Sequence, residues 1–335
     1  VSAWRVVGAI HDPGCTILHG APPRLLFSTF SDRHGRIMCG AEAWRTRQAS
    51  MFDPTKILAN ALGEHLAQAY RRAFGSAEPR FAEIIDEVAR LVVERISGSD
   101  ALYHDVQHTA FVTLVSQDIL RGRLLQQAIS PEDWLHTILA ALTHDLGYVR
   151  GVCSGDQAGR YVIDADGNTT ILPRGASDAS LAPFHIERSK IAVRERFGSH
   201  EFVDAERIAH SIELTRFPVP DDSDHAETDT EAGLVRAADL IGQLGDPLYP
   251  RKLNALFHEF AETGVNERLG YESPADVAER YPAFFWGKVE PFIRGAIGHL
   301  NLTVEGRQWV ATLYSHVFAM EHDRRSMGPH AGDNG

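Results

Sequence analysis

Two short stretches of this chain hold side chains that could do chemistry together. YHDVQH (residues 103–108) sets His104 and His108 four residues apart. On a helix that spacing puts both imidazoles on one face, a turn apart. Further on, TILAALTHDLGY places His144 directly beside Asp145 at the end of an apolar run. Imidazole and carboxylate together suit Zn, Mn, Fe and Ni, while Mg prefers carboxylates. A single buried His is most often a satisfied core residue. The adjacent pair is harder to dismiss: an Asp at the C-terminal end of an apolar helix opposes the helix dipole, and burying it without a partner is costly. A bound cation relieves both problems. Residue chemistry alone leaves the metal reading and its absence equally open.

Later segments add candidates. His185 in APFHIERSKIAV and His210 in ERIAHSIELTRF lie in amphipathic patterns beside apolar residues, where a half-buried His is also at home. Asp239 stands in VRAADLIGQL, a mostly apolar helical pattern, with Gln243 one turn on. Arg150, Arg188 and Lys190 are cations that could meet a phosphate or lie on the surface, whereas His136, His299, His316 and His322 read as packing or surface residues.

These residues must be positioned by helices. The spacing of apolar residues and the cap signals predict helices beginning near Met51, then over 81–97, 103–122, 131–146, 183–197, 201–213, 229–244, 250–262, 274–281, 284–299 and 303–322. One exception is RYVIDADGNTTILPRG (160–175), where β-prone residues flank Asp166-Gly167-Asn168 and predict a hairpin. The fold class is therefore all-α, a helical bundle with a small β-hairpin insertion. Asp164, Asp166 and Asn168 fit the hairpin turn. The acidic stretch 220–233 does not match an EF-hand loop and reads as a solvated loop entering a helix N-terminus. Residues 1–50 lack sustained periodicity and read as a poorly structured N-terminal extension, with Met51 a candidate start. The domain is expected over 51–325, and 326–335 as a disordered tail.

Composition narrows the classes. The chain of 335 residues is 44% hydrophobic and 23% charged, an ordinary globular balance. Lys plus Arg number 33 against 45 Asp plus Glu, a net charge of −12, which argues against a nucleic-acid surface. Cys15, Cys39 and Cys153 form neither a disulfide framework nor a thiolate zinc site. No apolar run approaches a membrane span and no signal-peptide pattern is visible, so the expected location is the cytoplasm.

YHDVQHTAFVTLVSQDIL followed by ILAALTHDLGY resembles the HD-domain metal-dependent phosphohydrolase superfamily. The first fragment is most similar to the Tyr-His-Asn-x-x-His motif of the class I cyclic-nucleotide phosphodiesterases, with Asp105 in place of the Asn. AADLIGQLGD resembles the segment that carries the last ligand of that superfamily. The resemblance implies a first metal held by His108, His144, Asp145 and Asp239. Asp145 would bridge to a second metal, and His185 and His210 are the candidates to hold it. The implied cofactors are divalent ions, two in number, among Mg, Mn, Fe, Zn, Ni and Co. The implied activity is hydrolysis of a phosphate ester, a phosphodiester such as a cyclic nucleotide in the first place. A metal-activated water would attack phosphorus, His104 would serve as general acid, and Asp145 would share in the catalysis. The expected partner is a small phosphorylated or nucleotide-like substrate. The base-holding Gln and Phe of the cyclic-nucleotide enzymes have no clear counterpart. Two alternatives share the motif: a di-iron oxygenase of the inositol-oxygenase type, and a nucleotide-binding sensor without turnover.

Overall fold

The computed structural model describes residues 52–322; the readings made above for 1–50 and 326–335 lie outside them. Over the described residues the chain is all-α with one small hairpin. Its helices are α1 (Pro54–Phe74), α2 (Pro79–Ile96), α3 (Val106–Leu124), α4 (Pro131–Thr143), α5 (His185–Phe197), α6 (Ala205–Leu214), α7 (Ser223–Ala226), α8 (Glu231–Leu244), α9 (Tyr249–Glu262), α10 (Val265–Leu269), α11 (Pro274–Phe284), α12 (Glu290–Leu300) and α13 (Val304–His322). None of these helices is long and apolar enough to cross a membrane.

Local chemistry sets the ends of the helices that matter most. Ser130 caps α4 in a reciprocal capping box with Asp133, and Pro131 occupies the first turn. Thr230 caps α8 through the Gly233 amide. At α3 the cap corrects the expected start of the helix. Asp105 is in extended conformation, and its carboxylate accepts the amide N–H of His108 at 2.9 Å. The helix therefore begins at Val106, and His104 lies ahead of it rather than on its face. Likewise α4 ends at Thr143, so that Asp145 opens a tight turn, Leu146–Tyr148, beyond the helix.

Two hydrophobic cores share the middle of the molecule. One is built from α1, α2, α4, α5 and α6, with Tyr70, Ile85, Trp134, Leu139 and Ile208 among its buried members. The other is built from α8, α9 and α11–α13, around Ile241, Leu253, Tyr281, Phe285 and Leu313. Three helices belong to both. α3 gives Ala110 and Leu120 to the first core and Val112, Val115 and Ile119 to the second. α4 gives Leu139 to the first and Ala141 to the second, and α8 divides Val235 from Ala237 and Ala238 in the same way. The candidate residues His108, His144 and Asp239 ride on, or at the end of, these three shared helices. Close approach sets two of them, His108 and Asp239: a Cβ on Gly242 would sit 2.8 Å from the backbone of Val112. Gly242 follows Asp239 by most of a helical turn and Val112 follows His108 by one, so the contact sets the spacing between their helices.

The hairpin lies where the sequence placed it. β1 (Arg160–Val162) pairs antiparallel with β2 (Thr169–Ile171), with Tyr161 opposite Thr170. The Asp164 carboxylate accepts the amide N–H groups of Asp166 and Asn168, and Gly167 takes the left-handed conformation of the turn. Arg188 pins this insertion to the body. It is fully buried and donates to the carbonyls of Gly147, Val149 and Val162 at 2.6, 2.9 and 2.5 Å, while pairing with Asp156. Its donors are thus occupied within the protein, and it is not a phosphate contact. Arg150 is bound to Asp178 and Lys190 to Glu213.

Candidate metal centre

His144 and Asp145 sit where α4 gives way to the tight turn. The His144 Nδ1 lies 2.9 Å from the carbonyl oxygen of Ala141, an acceptor only, so Nδ1 carries the hydrogen and Nε2 is left bare. The turn is fastened to α5 by Ser189, whose hydroxyl donates to the His144 carbonyl at 2.6 Å and accepts the Gly147 amide at 2.8 Å. Gly147 is required there, because a Cβ would fall 1.9 Å from the carbonyl oxygen of His185. The same contact ties the turn to the residue that opens α5.

The side chains converge across the seam between the cores. Asp145 Oδ2 lies 3.2 Å from His108 Nε2 and 3.1 Å from His144 Nε2. Asp239 Oδ1 lies 3.4 and 3.5 Å from the same two nitrogens. Two sets of residues each offer ligand atoms within 4.8 Å of one another: His108, His144 and Asp239, and His104, His108 and Asp145. These groupings could hold a metal ion. Three of their buried atoms, His108 Nδ1, His144 Nε2 and Asp145 Oδ2, have no hydrogen-bond partner. A bare imidazole nitrogen facing a carboxylate oxygen needs either a proton or a cation between them. The donor set and the orphaned atoms therefore fit a divalent metal.

The electrostatics agree. Burial pulls the His108 pKa down, but Asp145 and Asp239 more than offset it and raise it to about 9. For His144 the same carboxylates overcome burial and push the value well above its usual range. Burial alone would raise Asp145 and Asp239, yet the facing imidazoles hold both well below the usual carboxylate range. Without a cation the cluster is thus a store of protons, and a metal must displace them. Metal affinity is expected to fall as pH drops and to climb as pH rises toward about 9. Calorimetry in buffers of different ionisation enthalpy should record proton release on metal addition below that pH. An affinity independent of pH between 6 and 9 would contradict this.

His185 stands just outside the tight set, its Nε2 4.0 Å from Asp145 Oδ1. Its Nδ1 lies 2.5 Å from the Ala182 carbonyl, so here too Nε2 is the bare nitrogen. Burial lowers its pKa and Asp145 only partly offsets this, which keeps the ring neutral and able to ligate. His210 is not brought to the cluster. α6 buries Ile208, Ala209, Ser211 and Ile212, and that packing turns His210 out to solvent. The expectation that it would hold a second metal is corrected accordingly.

His104 is placed by residues that sequence reasoning missed. Glu259 on α9 is buried, and its Oε1 accepts the amides of Tyr103 and His104 at 2.6 and 3.3 Å. Its Oε2 lies 2.6 Å from His104 Nδ1. Burial lowers the His104 pKa, but the Glu259 carboxylate, helped by Asp145, outweighs it and the net shift is upward. A signal for Glu259 existed: on α9 the buried stripe runs Tyr249, Leu253, Leu256, Glu259, a carboxylate where an apolar residue belongs. Tyr148 is the second missed residue. Its ring stacks on His104 at 4.4 Å and on His185 at 4.6 Å. Burial, then the carboxylates of Asp145, Glu259 and Asp239, hold its phenol well above the usual range, so it remains a donor.

No curated protein matches the chain. A sequence model of the Npun_R2479-like family matches residues 52–323, a span that takes in every helix described and all the residues of this centre. The chain belongs to the Npun_R2479-like family.

Proposed function

We propose that the protein is a metal-dependent phosphohydrolase of the HD-domain superfamily, cleaving a phosphate ester of a small, nucleotide-like molecule, a phosphodiester before a monoester. The observation that carries this reading is the position of His104. It is not bound into the His108, His144 and Asp239 set, yet it lies beside Asp145 with its Nδ1 held by a buried carboxylate. A protonated imidazole beside a cation site is the arrangement that expels an alkoxide.

His108, His144, Asp145 and Asp239 would hold one divalent cation, and Asp145 with His185 would serve a second. When bound there, the ions would supply charge neutralisation of the phosphate and a more acidic water. The imidazole-rich donor set favours Mn, Fe, Ni or Zn over Mg. The protein's own groups do the rest. Glu259 occupies Nδ1 of His104 and favours the charged ring, so the hydrogen on Nε2 is the one offered to the departing oxygen. The buried walls around His108 and His144 exclude bulk water and strengthen each of these interactions.

The oxygenase alternative draws on a ligand set that includes His210. Its exposed place on α6 weighs against that reading. Metal analysis of the purified protein, together with a panel of phosphomonoesters and phosphodiesters, tests the proposal. Divalent metal and ester cleavage are expected. Iron with oxygen uptake and no phosphate-ester cleavage would favour the oxygenase, and ligand binding without turnover the sensor.

A further inference from the structure

The chemistry proposed for His104 makes no use of the Tyr148 hydroxyl, which lies beside the nitrogen of that ring not held by Glu259. Its oxygen lies 3.4 Å from His104 Nε2. The two rings are nearly parallel, 12° apart, with centroids 4.4 Å from each other. The contact therefore runs across the stack rather than along the in-plane direction in which Nε2 carries its hydrogen. The phenol does not take the in-plane direction of Nε2 but lies alongside it. Both rings have further partners: Glu259 fixes His104, while His185 stacks on Tyr148 with planes 29° apart. No other hydrogen bond is made by the Tyr148 hydroxyl among the described residues, and the ring is buried. The groups that face this hydroxyl and its ring are His104, His185 and the nearby carboxylates Asp145, Glu259 and Asp239.

Taking the phosphohydrolase reading as its premise, we infer that Tyr148 is a second donor to the departing ester oxygen, acting side by side with His104. In the step, water's oxygen bonds to phosphorus as the ester P–O bond breaks. The departing oxygen keeps the bonding pair and takes the Nε2 proton of His104. Tyr148 keeps its proton and hydrogen-bonds the oxygen while negative charge builds there. The proton lost by the attacking water restores His104 through solvent, so the protein ends as it began. The site thus favours esters with poor, alkoxide-like leaving groups, whose charge needs two donors, over activated aryl esters.

The test is Tyr148→Phe in the full chain, loaded with metal, which keeps the ring and its stacking and removes only the hydroxyl. Two substrates are compared: the alkyl-leaving diester cleaved best in the panel, and bis(p-nitrophenyl) phosphate, whose leaving group needs little help. The expected result is a loss in kcat on the order of 10²-fold for the alkyl ester, as for removal of one oxyanion donor. KM for that ester, the rate on the aryl ester and the bound metal should all stay within about twofold. Equal losses on both esters, no loss on the alkyl ester, or loss of bound metal would overturn the inference while leaving the phosphohydrolase reading in place. A wild-type protein that cleaves only the aryl ester would overturn it as well. A wild-type protein that cleaves neither would sink the phosphohydrolase reading itself.

Discussion

Asp145→Asn is expected to abolish metal retention and, with it, turnover. Asp145 is the residue on which the centre turns: Oδ2 faces both His108 and His144 at 3.2 and 3.1 Å, and Oδ1 faces His185 at 4.0 Å. Asn keeps the volume but removes the charge, and it can turn an N–H toward imidazole nitrogens that need a cation. Loss of an outer-shell partner alone costs about 10- to 100-fold in metal affinity, so loss of this inner carboxylate should exceed that range. His210→Ala is the matched control. Its side chain is exposed on α6, and full metal content and activity are expected. Elemental analysis of both proteins after dialysis checks the pair. Normal metal in Asp145→Asn, or metal loss in His210→Ala, would show that the ligands have been misassigned.

The second large effect is expected at His104. His104→Ala should keep its metal and lose roughly 10² to 10⁴ in turnover, the range for removal of a general acid. Glu259→Gln separates position from charge. Glu259 raises the His104 pKa against the pull of burial, so its loss lowers that pKa. On the proposed reading His104 would act when protonated, so in Glu259→Gln the alkaline fall of the kcat profile should move to lower pH. Near-normal rates are expected to persist only on the acid side. An unshifted profile would mean that Glu259 serves packing alone. Activity of His104→Ala equal to wild type would remove His104 from the chemistry.

Much of the fold could be read from the residues. Apolar spacing and caps such as Ser130-Pro131 mark the helices, and Asp166-Gly167-Asn168 marks the hairpin, because these signals are local. The site was legible in part. His108, His144 and Asp239 lie on, or at the end of, separate helices, and only the motif pattern suggested that they meet. His108 and Asp239 are set by the close approach at Gly242, a contact between helices that no local pattern reveals. The YHDVQH spacing misled in one respect. Asp105 stops the helix by capping it, so His104 is oriented by Glu259, far along the chain, and not by helical periodicity. His210 failed for a related reason: an amphipathic pattern says that a helix has a buried face, but its neighbours decide which side of the boundary a given His occupies. Arg188 looked like a possible phosphate contact because a fully buried Arg satisfied by carbonyls and one Asp has no sequence signature.

On the proposed reading this centre would direct water at phosphorus. Cleavage of the preferred phosphodiester by the metal-loaded protein in ¹⁸O-labelled water, followed by mass spectrometry of both products, tests it most directly. One labelled oxygen in the phosphate-bearing product and none in the released alcohol is the expected result. Label in the alcohol, or consumption of dioxygen with no labelled phosphate, would contradict it.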